Sequence, residues 1–318
     1  MLNNQDFTRE RSKYLGGSDL GAILGLSKYR TAVDVWFEKT GKASPQKDNI
    51  AMRFGQFAEE FVASEYARAA QSQLAKYDQA IIHPEYNFMQ GHIDRFVVED
   101  GITLLDEVGN INSKKILECK TANPFTQNEW GEEGSDQVPL TYLVQCIWYM
   151  MLTKVHQADL AVLFGNTDFR IYTIARDLEL EEIIFQRAKA FWHEFVLRDT
   201  PPPANSECDL NKLFKVSVSQ KVVEASVEAV ELIQQLKELN IQIKKSEDEV
   251  SYIKQKIMEE MQDAELLNFA GQTLATWKTP KPSFRLDAKL LTQTHPEIAQ
   301  QIQVPIQNNR RFVIKEQS

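Results

Sequence analysis

The chain has 318 residues, enough for one large domain or two ordinary ones with an ample core. Its 43% hydrophobic and 25% charged residues are those of a soluble globular protein, and the longest apolar run, 140–152, is too short to span a bilayer and is broken by Thr141 and Gln145. A net charge of −9 speaks against a general nucleic-acid coat, but the charge is uneven: from Thr276 onward seven Lys/Arg face three acids, and Arg9, Arg11, Lys13, Lys28 and Arg30 form a second basic cluster.

Gly16-Gly17 before Ser18 predicts a turn feeding a helix over 19–24, with Ser18 as N-cap. Thr31-x-x-Asp34 opens a second short helix that ends at Gly41. A longer helix starts near Asn49 and runs through Tyr66, and strands follow around 81–82, 91–98 and 116–120. Pro139 begins a helix over 142–152. Segments 158–164 and 169–174 predict a hairpin, and 178–197 another helix. Helices interleaved with a mixed sheet make the expected fold class α/β.

Pro201-Pro202-Pro203 cannot continue a helix and marks a boundary, dividing the chain into 1–203 and a C-terminal extension, 204–318. From Val222 to Glu260 there is no Gly or Pro, and ten of the twelve positions at alternating 3-4 spacing are apolar. That pattern predicts a coiled-coil-like arm over 222–261, about 60 Å long as one helix or folded back near Ser246. A small, basic, β-containing tail over 268–318 follows, with strands at 273–278 and 311–315. Residues 1–6 show no export signal, and Cys119, Cys146 and Cys208 have no metal or redox spacing, so the expected compartment is cytoplasmic.

The chemistry concentrates on the strand Lys114-Lys115-Ile116-Leu117-Glu118-Cys119-Lys120. Period-2 alternation puts Glu118 and Lys120 on one face and turns Cys119 to the other, with Asp94 at the end of a preceding strand. Carboxylates and an ammonium in one space suit phosphodiester hydrolysis, where divalent metals hold water and phosphate and a lysine neutralises developing charge. Alone the pattern is weak: Asp287-Ala288-Lys289 also reads acid-x-Lys, with no apolar strand ahead of it. Asp94 serves either as a hairpin cap or as a ligand.

Glu59 shares a helix face with Met52, Gly55, Val62, Ala63 and Tyr66, whereas Arg53, Gln56 and Ser64 surround Glu60. A carboxylate on an apolar face needs a cation, either a metal or an arginine. Tyr142 and Gln145 share another helix face, and the glutamine wants a polar partner there. Ser18 with Arg11 makes either an ordinary cap or an anion site. No Gly-Lys-Ser/Thr follows the glycines at 16, 17, 21 and 25, so nucleotide hydrolysis is not expected.

Taken in order, Arg11-x4-Gly16-Gly17-Ser18, Gly55-x3-Glu59, Gly91-His92-Ile93-Asp94, Glu118-Cys119-Lys120 and Tyr142-x2-Gln145 resemble the YqaJ-like viral recombinase family over about residues 9–200. This is the lambda-exonuclease branch of the PD-(D/E)XK nucleases. The resemblance implies a restriction-endonuclease-like core and a Mg²⁺-dependent deoxyribonuclease that degrades one strand of double-stranded DNA from its 5′ end. Glu59, Asp94, Glu118 and the Cys119 backbone carbonyl would hold two Mg²⁺, with Mn²⁺ as a substitute. Lys120 would position the attacking water, with Gln145 and Tyr142 in support, and Arg11 and Ser18 would hold the terminal 5′-phosphate. The lambda enzyme has a serine where this chain has His92.

The family's usual setting implies duplex DNA ends as substrate, a single-strand annealing protein as partner, a homo-oligomeric ring trimer, and recombination of phage or mobile-element DNA in a bacterial host. The alternatives are an endonuclease on the same core, or a non-catalytic DNA-binding coiled-coil adaptor. The intact acid set argues against the adaptor.

Overall fold

A computed structural model describes residues 10–43, 49–302, 304 and 310–315. Arg9 of the basic cluster lies outside these residues. The chain divides into two compact units, Met1–Leu213 and Phe214–Ser318.

The first unit begins with α1 (Gly17–Ile23), α2 (Ala32–Lys39) and α3 (Ile50–Ala70). The strands β1 (Gln73–Ala75), β2 (Ile81–Ile82), β3 (Gln90–Gly91), β4 (Arg95–Val98) and β5 (Lys115–Ala122) follow. Helix α4 (Leu140–Thr153), strands β6 (Gln157–Phe164) and β7 (Asp168–Ala175), and helices α5 (Leu178–Phe191) and α6 (Glu207–Leu213) complete it. The main sheet runs β1-β4-β5-β6-β7, with β5 and β6 parallel and the other neighbours antiparallel. The β5–β6 pair needs a crossover, which α4 supplies. A mixed α/β fold is therefore present, as the interleaved pattern predicts.

Alternation along β5 sorts its side chains between two layers. Leu117 and Cys119 pack with Val62, Ala63 and Tyr66 of α3, and with Ala161 and Leu163 of β6. Ile116 joins the larger core with Leu160 and Val162 of β6 and with α4 residues such as Ile147 and Trp148. Each large apolar side chain buried this way contributes about 1.5–3 kcal/mol. Glu118 and Lys120 consequently lie on the α4 side of the sheet.

Local signals explain the helix starts. Thr31 accepts from the Asp34 N–H while Asp34 accepts from the Thr31 N–H, a reciprocal cap. Asn49 accepts from the Met52 N–H and opens α3, which extends four residues beyond the predicted end at Tyr66. Ser18 is not an N-cap: Gly16 takes that position, Asp19 accepts from its N–H at 2.9 Å, and Ser18 sits inside the first turn. The triproline ends the α5 run, yet the first unit continues to Leu213. There α6 returns to α2, with buried Asp209 accepting from Thr31 Oγ1 at 2.7 Å and Lys212 pairing with Asp34 at 2.5 Å.

In the second unit, α7 (Val227–Met261) is one continuous helix, so there is no fold-back near Ser246. It starts after Ser226, which caps it by accepting from the Ala229 N–H, so 222–226 of the predicted arm lie outside the helix. Strands β8 (Leu266–Phe269) and β9 (Gln272–Thr276) form a hairpin, followed by α8 (Ala288–Thr294) and α9 (Pro296–Ile302). Residues 311–315 are irregular instead of a strand; among the described residues no neighbour pairs with them. No helix of the described residues is long and apolar enough to cross a membrane.

One glycine decides how α1 meets α4. A Cβ on Gly17 would lie 2.8 Å from Tyr149 Cε1 and 2.9 Å from Gln145 Cγ, while a Cβ on Gly55 would meet nothing within 4 Å. Gly17→Ala should therefore destabilise the chain by about 1–3 kcal/mol through overpacking. Gly55→Ala, half-buried in the helix but with open space for the added Cβ, should stabilise it by about 0.5–1 kcal/mol. Urea midpoints of the two variants check both signs.

Candidate active site

Strand β5 delivers Glu118 and Lys120 side by side, two residues apart on one face. Lys120 Nζ donates to Glu118 Oε1 at 2.5 Å, and Gln145 Nε2, from α4, donates to the same oxygen at 2.6 Å. Gln145 is held in turn by a 3.0 Å bond to the Tyr149 hydroxyl one helical turn on. Asp94 precedes β4, and its Oδ2 accepts the Cys119 N–H at 2.8 Å. This bond leads from the carboxylate into the adjacent strand, so Asp94 ties two strands together and caps no hairpin. Tyr142 lies with its ring 5.5 Å from Lys120 Nζ, stacked on Trp130.

The charges do not balance. Burial and the neighbouring Asp94 push the Glu118 carboxyl up to about 8, against the pull of Lys120. Burial also raises Asp94, opposed by Lys120 and by the Cys119 N–H. For Lys120, burial alone would lower the ammonium, but Glu118 and Asp94 outweigh it and hold it above lysine's ordinary value. Among the described residues Glu118 Oε2 is buried without a hydrogen-bond partner. A buried acceptor left unsatisfied costs about 1–3 kcal/mol, more when charged. An orphaned carboxylate oxygen beside a second carboxylate fits a hard divalent cation with oxygen ligands.

Glu59 is arranged differently. Arg95, itself buried, donates to Glu59 Oε1 at 2.8 Å and pairs with Glu60 as well. The arginine partner weighed for Glu59 is thus present. Among the described residues no three of His, Cys, Asp and Glu stand close enough to hold one ion together. Glu59 is nevertheless near enough that its charge raises both Asp94 and Glu118. The apolar face behind it begins only at Ala58: Val62, Ala63 and Tyr66 are buried, but Met52 is 42% exposed.

A second polar cluster surrounds α1. Arg11 Nη2 donates to Ser18 Oγ at 2.9 Å. The next residue, Asp19, is fully buried and faces three cations: Lys39 and Arg30, each at 2.8 Å, and Arg11 at 4.0 Å. Lys39 also donates to the Arg11 carbonyl at 2.9 Å, fixing that backbone. Burial alone would raise the Asp19 carboxyl, but Lys39, Arg30 and Arg11 overcome it and hold it well below the usual carboxylate range. His92 stands 6.4 Å from the Tyr14 ring, and partial burial and the charge of Arg11 lower its imidazole.

Comparison with known proteins is decisive at the family level. The sequence profile of the YqaJ-like viral recombinase domain matches residues 6–156. The uncharacterized protein YqaJ of Bacillus subtilis (strain 168) is 31% identical over 324 residues, spanning 100% of this chain and 96% of that protein. The chain belongs to the YqaJ-like viral recombinase family. Similar folds include an alkaline exonuclease from Laribacter hongkongensis, with a TM-score of 0.48 at 16% identity over 61% of this chain and 93% of that one. A phage related exonuclease from Haemophilus somnus 129PT has a TM-score of 0.42 at 17% identity over 59% and 96%. Likeness at this level assigns no residue role.

In this YqaJ-like chain, the matched span takes in Arg11, Glu59, Asp94, Glu118, Lys120 and Gln145, and stops just before β6. Sequence reasoning missed Arg95, although alternation from Asp94 places it on the α3 side of β4. It also missed Tyr149, one turn beyond Gln145. The Asp19–Lys39–Arg30 cluster carries no periodic signal.

Removing the Asp19 charge tests that cluster. Because its folded-state pKa lies below the unfolded value, its stabilisation is complete above about pH 4 and fades as the pH falls. Asp19→Asn should cost about 3–5 kcal/mol at pH 7, since it leaves buried Lys39 uncompensated. Its stability should also fall less steeply with acid than the parent's, which urea unfolding across pH 3–7 would read.

Proposed function

We propose that this chain is a metal-dependent DNA exonuclease of the lambda type, hydrolysing one strand of duplex DNA from the 5′ end. The observation that carries the reading is the buried, unpartnered Glu118 Oε2 beside Asp94, with Lys120 bound to the other oxygen of Glu118. Membership in a viral recombinase family supports it.

Asp94, Glu118 and the Cys119 carbonyl would hold Mg²⁺, or Mn²⁺ in its place, with Glu59 as the helical acid of a two-ion site. When bound, the ions lower the pKa of the attacking water and polarise the scissile phosphate. Gln145 and Lys120 fix Glu118 Oε1, which leaves Oε2 for the ion. Lys120 keeps its proton and neutralises charge that develops on the phosphate. The Tyr142 ring lies beside the Lys120 ammonium and restricts its reach. Arg95 competes with metal for Glu59, so Glu59 acts as a ligand only with that ion pair loosened.

Arg11 and the Ser18 hydroxyl would receive the terminal 5′-phosphate, and the basic tail beyond Thr276 would add phosphate contacts. Duplex ends would be the substrate, a single-strand annealing protein the partner, and phage or mobile-element recombination the setting.

Digestion of 5′- and 3′-labelled linear duplex in Mg²⁺ and in EDTA tests this. We expect Mg²⁺-dependent release from the 5′ end and a preference for 5′-phosphate over 5′-hydroxyl. Glu118→Ala and Lys120→Ala should each lower the rate by about 10³-fold or more. Glu60→Ala should matter far less than Glu59→Ala, and Arg11→Ala should erase most of the phosphate preference. Near-normal digestion by Glu118→Ala contradicts the site, and cleavage of closed circles would make the enzyme an endonuclease.

A further inference from the structure

Buried Arg95 holds two neighbouring acids of α3, and we propose that it is a clasp on Glu59, with Glu60 keeping the arginine paired whenever Glu59 turns to a second ion. The inference rests on the metal-dependent nuclease reading. Arg95 and Glu60 are then positioning residues, which touch no reacting atom and act through Glu59.

The geometry gives the arginine three separate acceptors. Its Nη1 donates to Glu59 Oε1 at 2.8 Å and to the Asp94 carbonyl, and its Nη2 donates to Glu60 Oε2. The Arg95 side chain is only 6% exposed, against 32% for Glu59 and 77% for Glu60. Its backbone is paired in the sheet opposite Leu117 of β5, and Val97 on the same side of β4 packs with Val62, Ala63 and Tyr66 of α3. The arginine therefore stays in place while its acids exchange.

Releasing Glu59 orphans nothing on the guanidinium. Nη1 keeps the Asp94 carbonyl and Nη2 keeps Glu60, so the buried charge remains hydrogen-bonded and compensated. Without Glu60 the same release would strand that charge, which is strongly destabilising. A simple clamp between helix and strand has no need of a second acid. Glu60 points about 100° away from Glu59, from an exposed face, and orders a long side chain to reach Arg95.

The same electrostatics order the loading of ions. Burial and, to a lesser degree, the charge of Glu59 raise both Asp94 and Glu118. That mutual repulsion favours Glu59 on Arg95 until a cation occupies the Asp94–Glu118 pair. Guanidinium keeps its proton at any working pH, so only a cation competes with it for Glu59.

Mn²⁺ titration of the full chain without DNA, read by the electron paramagnetic resonance of free Mn²⁺, counts the ions and gives their affinities. The parent should bind one ion tightly and a second at least about tenfold more weakly. Arg95→Met should tighten the second ion about tenfold, and in a Glu59→Gln background it should change nothing. Glu60→Gln, at an exposed position, should weaken the second ion severalfold, and that loss should vanish in combination with Arg95→Met. Circular dichroism checks the helix content of each variant. Arg95→Lys keeps the buried charge without the fork, so it should tighten the second ion by a smaller factor and secures the test if Arg95→Met unfolds.

A second ion unmoved by the Arg95 variants would overturn the clasp. So would an Arg95→Met gain that persists without the Glu59 carboxylate, or a Glu60→Gln loss that persists without Arg95. A parent that binds no Mn²⁺ would instead remove the metal reading itself, and the clasp with it.

Discussion

Glu118 sits in the interior of the sheet with one carboxylate oxygen held by Lys120 and Gln145 and the other held by no described residue. Removing a carboxylate from water costs several kcal/mol even after relaxation, and a paired lysine offsets one such charge. Asp94 brings a second carboxylate into the same space, and the charge of Glu59 reaches it as well. The protein meets part of this demand with Lys120 and with Arg95 on the far side, and leaves the remainder to a proton or an outside cation.

Much of the first unit serves to hold that imbalance in place. The parallel β5–β6 pair requires a crossover helix, and that helix carries Gln145 and Tyr142 to the β5 carboxylate. Helix α1 approaches α4 so closely that only glycine fits at position 17 against Gln145 and Tyr149. The same short helix carries Ser18 and Asp19, and Asp19 gathers Lys39, Arg30 and Arg11. The contact of α1 with α4 thus links the Asp19 cluster to the helix that carries Gln145 to Glu118.

Several features were legible because they obey short periods. Alternation along 114–120 separates Glu118 and Lys120 from Cys119, and the observed layers agree. The spacing of Tyr142 and Gln145 puts both against the Glu118–Lys120 pair. Other features depend on contacts between distant segments, which no local period encodes. Arg95 finds Glu59 across 36 residues and Asp209 finds Thr31 across 178. Ser18 is a good N-cap type, but Gly16 holds that position, with Asp19 accepting from its N–H from inside the first turn. The absence of Gly and Pro allows the arm either to continue or to fold back near Ser246; it continues, and it begins only after Ser226, which caps it.

Metal binding by the carboxylates is the central claim, and thermal unfolding of the full chain with and without Mn²⁺ reads it without any substrate. An ion bound only by the folded state at about 100 times its dissociation constant stabilises by about 2.7 kcal/mol, a rise of several degrees in Tm. Glu118→Gln removes the buried charge while keeping the shape, so it should raise the baseline Tm and abolish the ion-dependent rise. An equal Mn²⁺ response in the parent and in Glu118→Gln, or no response in the parent, would contradict the account.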